Sequence, residues 1–222
     1  MATKDEHIKD LQEIRSMMER SSRFISLSGL SGVFAGITAL LGALAVYIYK
    51  SEFFYGQFHN KQRVYFRGNL IYGAELTHFI YFLIVTATIV LIVALTFGVL
   101  FTTRNARRKN LPYWDSSAKR MLINLFIPLA AGGIFCLALF YHQQIYLVAP
   151  ATLVFYGIAL INASKFTLND IRYLGFSEII LGLISMFFAG YSLFFWAFGF
   201  GILHIIYGTT MYWKNERANS KS

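Results

Sequence analysis

Charge is scarce in this chain, and negative charge most of all. Eleven Asp and Glu stand against 20 Lys and Arg in 222 residues, and charged residues make up only 14%. A soluble domain of this size carries about 25% charged residues. Too little charge is available to wet a globular surface, so much of that surface faces something apolar. The length accommodates one compact membrane domain and no second globular unit. Cys136 is the single cysteine, which excludes an intramolecular disulfide and a thiolate metal cage. Set inside an apolar run, it reads as a small packing residue. Phosphate-binding P-loops, G-x-S-x-G elbows, H-E-x-x-H helices and dinucleotide fingerprints are all missing. Only one histidine lies deep in an apolar run, so paired axial ligation of a haem has no basis. The halves show no internal repeat, which removes the inverted-repeat signature of many transporters. No cofactor and no metal site are expected.

What the chain has in abundance is apolar length: 56% of its residues are hydrophobic. The stretch from Phe176 to Trp213 is the plainest case. At about 1.5 Å per residue, roughly 20 residues cross a bilayer core of about 30 Å. This stretch therefore fits two crossings with a tight turn near Gly190, Tyr191 and Ser192. The same reading along the chain predicts an all-α polytopic membrane protein with six transmembrane helices. The spans fall at about 24–49, 78–101, 121–141, 145–161, 174–190 and 193–213. Pro128 with Gly132-Gly133, and Pro150, predict broken helices in the third and fourth spans.

Ahead of the spans, residues 1–23 predict a cytoplasmic amphipathic helix, because Ile8, Leu11, Ile14 and Met18 share one face. That helix suits docking on a protein partner or packing on its own cytoplasmic loops. The charged start and long first run also predict an uncleaved anchor in place of a signal peptide. The connector 50–77 is crowded with aromatics such as Phe53, Phe54, Tyr65 and Phe66, the composition of an interfacial belt. Residues 214–222 form a short polar tail. Basic residues sort by side: all but Lys50, Lys61, Arg63 and Arg67 fall in segments that six crossings place together. The positive-inside rule then puts both termini in the cytoplasm. A basic cluster wedged between spans, such as Arg104, Arg107 and Arg108, reads as a topology signal that attracts anionic lipid. Nucleic acid is not an expected partner; the lipid bilayer is.

Two sets of residues stand out at depth. Glu178 lies roughly 7 Å and His204 roughly 13 Å inside the same edge, by residue count at the helical rise. Asn124 and Asn162 fall at comparable depth, and the four form a candidate intramembrane polar cluster. Ionisable groups inside a bilayer cost a few kcal/mol and tend to be functional. A hydrogen-bonded clasp between helices is the structural alternative. The second set is Gly32, Gly36, Ala39 and Ala43, a small-residue stripe on the first span. It suits close helix packing within the bundle or, alternatively, a homo-oligomer seam.

Three stretches carry a resemblance: NLFIPLAAGGIFCLALF, APATLVFYGIALINASKFTLNDIRYLG and FWAFGFGILHIIYGTTMYWKNER. They resemble a family of small, uncharacterised, six-pass bacterial inner-membrane proteins, and the likeness covers most of the chain. It implies a location in the bacterial inner membrane and carries no catalytic or binding residues with it. The expected function is a non-enzymatic sensor or partner-binding scaffold. The alternatives are a small solute or proton-coupled transporter or channel using Glu178 and His204, and a membrane-embedded enzyme or redox subunit.

Overall fold

A computed structural model describes residues 27–59, 73–109, 114–142 and 144–214. Every element among them is helical, which is compatible with hydrocarbon surroundings, where each backbone N–H and C=O must pair inside its own segment. Helix α1 runs Gly29–His59, α2 Gly73–Arg108 and α3 Ser116–Tyr141. A 3-10 turn at Ile145–Leu147 leads into α4, Val148–Ala163. A second, Ser164–Phe166, precedes α5, Asp170–Phe187. A third, Ala189–Tyr191, leads into α6, Ser192–Tyr212. The N-terminal amphipathic helix, the middle of the aromatic connector, Leu111-Pro112-Tyr113 and the tail beyond Lys214 lie outside the described residues.

Among the described residues, five helical segments are long and apolar enough to cross a membrane: Gly29–Tyr49, His78–Arg108, Ser116–Tyr141, Ile145–Phe166 and Ser192–Tyr212. The sixth long helix, α5, differs from the other five. Its 18 residues include Asp170, Arg172 and Glu178, so by composition it is not their equal. The connectors are also shorter than expected, because α1 continues to His59 and α2 begins at Gly73.

The expected helix breaks are not where the prolines stand. Helix α3 runs on through a buried Pro128. Pro150 occupies the first turn of α4, where no intrahelical N–H bond is lost. The irregularity lies in α6 instead, where Ala197–Leu203 winds as a π-helix. Such wide turns are uncommon and concentrate at functional sites.

Helix termini follow ordinary capping chemistry. The Asp115 carboxylate accepts the Ala118 N–H at 2.7 Å and starts α3. Arg107 and Arg108 close α2, where positive charge complements the helix dipole.

In the bundle, α1 lies against α2 and α6, α4 lies against α3 and α5, and α6 also meets α4 and α5. Glycine sets two close approaches. A Cβ on Gly157 would stand 2.6 Å from the Gly175 carbonyl, and one on Gly175 would stand 2.8 Å from the Gly157 carbonyl. Helices α4 and α5 therefore meet backbone to backbone. Gly29 and Gly208 do the same for α1 and α6. Gly29 also abuts Tyr212, and Lys214 pairs with Asp170 at 3.1 Å. The start of α1, the start of α5 and the end of α6 thus share one end of the bundle. An apolar core of Leu160, Ile171, Leu174 and Met211 sits near that end, with Tyr207 packed on it. The outward surface is strongly apolar, as at Leu91, Leu95, Phe126 and Ile134, and none of the most apolar window of α2 is buried.

A buried Tyr-His-Glu site between α4, α5 and α6

Three helices contribute one polar side chain each to a pocket of otherwise apolar packing. Tyr156 comes from α4, Glu178 from α5 and His204 from α6. His204 is 6% exposed and Glu178 is 0% exposed, so both are removed from solvent. The His204 Nε2 atom lies 2.8 Å from the Tyr156 hydroxyl. Its Nδ1 atom lies 3.0 Å from the Gly199 carbonyl. A carbonyl can only accept, so Nδ1 carries the proton and donates it to Gly199. In the neutral ring Nε2 then accepts the Tyr156 O–H. Both nitrogens are satisfied, and α6 is fastened to α4.

Glu178 is different. Its Oε1 atom is 3.4 Å from His204 Nδ1, close enough for a charge to be felt. Yet the Nδ1 proton is directed at Gly199, and neither carboxyl oxygen has a hydrogen-bond partner. The charge contact and the missing hydrogen bond are compatible, and the hydrogen-bond geometry is the stronger statement about what holds the group. A bare carboxylate in such surroundings is costly unless a proton or a cation accompanies it. Among the described residues, one further buried side-chain polar atom lacks a partner: the Ser185 hydroxyl, on the same helix and 0% exposed.

Local sequence explains how the carboxyl reaches this place. In A-F-G-F-G, Gly199 presents no side chain to α5; a Cβ there would stand 2.5 Å from Glu178 Oε2 and 2.7 Å from Leu153 Cδ2. The π-helical winding then places the Gly199 carbonyl against the ring of the residue five positions on. Phe200 caps the pair from above, its ring 4.8 Å from Tyr156 and 5.8 Å from His204.

The proposed cluster of four therefore divides. Glu178 and His204 come together. Asn124 turns back to the Arg120 carbonyl of its own helix at 2.8 Å. Asn162 lies at the far end of α4, near its C-cap, and no described hydrogen bond ties it to the pair. Tyr156 is the partner that residue counting passed over, although it stands seven residues before Ala163, roughly 10 Å from the helix end by the rise and so at matching depth. Tyr207 belongs to the neighbouring apolar core. Gly199 and Ser185 give no sequence signal beyond small size.

The small-residue stripe of α1 lies inside the bundle. A Cβ on Gly32 would stand 3.2 Å from the Gly208 Cα, and one on Gly36 would stand 2.6 Å from the Gly201 carbonyl. Ala39 and Ala43 continue the stripe and are 3% and 7% exposed. Helix α6 occupies this face. No protein-family model, no curated protein and no solved structure matches this chain.

Proposed function

We propose that this chain is a non-enzymatic six-pass protein of the bacterial inner membrane, with both termini in the cytoplasm, acting as a proton-responsive sensor. The observation that carries the reading is Glu178: fully buried, with neither oxygen hydrogen-bonded. A group that no hydrogen bond holds does not tie the helices together, while adding or removing its proton changes the local charge by one unit in low dielectric. Such a change is felt at once by α4, α5 and α6, which all touch the site. The resemblance to small six-pass inner-membrane proteins and the shared bundle end of α1 and α6 support the topology. The sorting of basic residues supports its sidedness. The amphipathic segment 1–23 is the proposed surface through which a cytoplasmic protein partner reads the state.

The test is infrared difference spectroscopy on the full chain in lipid vesicles. A protonated-carboxyl band that changes with pH and vanishes in Glu178→Gln is the expected result. No pH-dependent carboxyl band in the wild type contradicts the reading.

A second reading, a proton-coupled transporter, draws on the π-helical interruption of α6 beside the site. Helices broken at mid-membrane are the habit of transporter sites. Solute flux in proteoliposomes that is lost in Glu178→Gln distinguishes it from the sensor.

A further inference from the structure

Two buried side chains on α5 have unpartnered polar atoms, Glu178 and Ser185. They are seven residues apart, two helical turns, so they lie on one face about 10 Å apart along the axis. Gly182 lies between them on that face and is buried. Buried polar atoms without a protein partner are commonly satisfied by internal water. Ser185 stands one turn from the α5–α6 connection at Ala189–Tyr191, at the bundle end opposite Asp170 and Lys214.

Two neighbouring side chains of α4, Val154 and Leu153, pack against Gly182, with Val154 Cγ2 at 2.7 Å from its Cβ position. Leu153 of α4 is 0% exposed. Its Cβ would stand 3.0 Å from a Cβ on Gly182, and its Cδ2 2.7 Å from one on Gly199. Leu153 thus reaches both glycine positions, Gly182 in the turn before Ser185 and Gly199 beside the Glu178 carboxyl.

We propose that protons reach Glu178 from the α5–α6 connection by way of Ser185 and bound water, with Leu153 as the apolar plug that limits the traffic. The inference rests on the reading of Glu178 as the protonated group and assigns it a route and an entry side. The step balances simply. The Ser185 hydroxyl accepts a hydrogen bond from water on the entry side and donates its own proton to the next water. One proton ends on the Glu178 carboxylate, and the hydroxyl is restored from the entry side. With both termini in the cytoplasm, the entry end faces away from the cytoplasm, and the protein samples outside acidity.

The experiment follows hydrogen–deuterium exchange of the Glu178 carboxyl by infrared spectroscopy. The full chain in lipid vesicles is switched from H2O to D2O, with the band assigned by its absence in Glu178→Gln. Ser185→Val is expected to slow exchange about tenfold, and Leu153→Ala to speed it about tenfold, each a modest change in barrier. Ser185→Thr, which keeps the hydroxyl, is expected to exchange at the wild-type rate and controls for packing. If Leu153→Ala fails to fold, the Ser185 pair alone decides. Equal exchange rates in wild type, Ser185→Val and Ser185→Thr overturn the route while leaving the protonated Glu178 intact. Absence of any Glu178 band overturns the underlying reading instead.

Discussion

Helix α6 presents two faces of opposite character. Toward α1 it offers Gly201 and Gly208, and backbone meets backbone with nothing titratable between. Toward α4 and α5 it offers His204, bonded to Tyr156 and to its own Gly199 carbonyl, and beside it lies an unheld carboxyl. The first face is fixed by sterics, because close packing leaves no room for an alternative arrangement. The second is fixed by one histidine, and the carboxyl next to it is placed but not fastened. Close backbone packing and a buried polar contact thus occupy different faces of a single helix.

The comparison breaks most sharply on the glycine face. A Cβ on Gly208 would stand 2.6 Å from the Gly29 carbonyl and 2.6 Å from the Val33 amide. Gly208→Val is therefore expected to cost about 3 kcal/mol or more in detergent unfolding. Gly98 on α2 has nothing within 4 Å of its Cβ position. Gly98→Ala should be neutral or stabilise by about 0.5 kcal/mol, and a loss comparable to that of Gly208→Val would show that the seam is not special.

The polar face comes next. His204→Phe removes the clasp and strands the Tyr156 hydroxyl, with an expected cost of about 2–3 kcal/mol. Tyr156→Phe should cost about 1–2 kcal/mol, and the double variant should reveal coupling of about 1 kcal/mol. Strict additivity of the two would mean that the 2.8 Å bond does not form.

Much of this arrangement was legible in the sequence, and the part that was not has a physical reason. Depth follows from counting residues at a fixed rise, so the meeting of Glu178 and His204 was readable. Azimuth advances about 100° per residue, and one extra residue in a turn shifts everything beyond it. The π-helix at Ala197–Leu203 is such a shift, and no residue type announces it. Asn124 turns back on its own helix, and Asn162 sits at the end of α4, away from the pair. The proline rule placed breaks in α3 and α4, yet Pro150 sits where a first turn tolerates it and α3 stays helical through Pro128. The stripe of Gly32, Gly36, Ala39 and Ala43 was visible as small residues at helical spacing, but its partner, α6, was not.

A smaller effect sharpens the boundary between the faces. Gly199→Ala pushes a methyl against Glu178 and Leu153, with an expected cost of about 1–2 kcal/mol. In a Glu178→Ala background part of that cost should return, and the remainder belongs to Leu153. Full additivity would separate Gly199 from the carboxyl. Smallest of all is the Lys214–Asp170 pair, whose lysine is 67% exposed. Lys214→Ala should change stability by under about 0.5 kcal/mol, and less at high salt. A larger change would make this ion pair a structural tie.

The most direct measurement compares thermal unfolding of Glu178→Met with that of the wild-type chain in the same detergent. A carboxyl that no hydrogen bond holds should be replaceable by an apolar side chain of similar volume at no cost or with a gain. The expected midpoint is therefore equal to or above that of the wild type, with the pH-dependent carboxyl band gone. A midpoint lowered as far as that of His204→Phe would contradict this and make Glu178 part of the clasp.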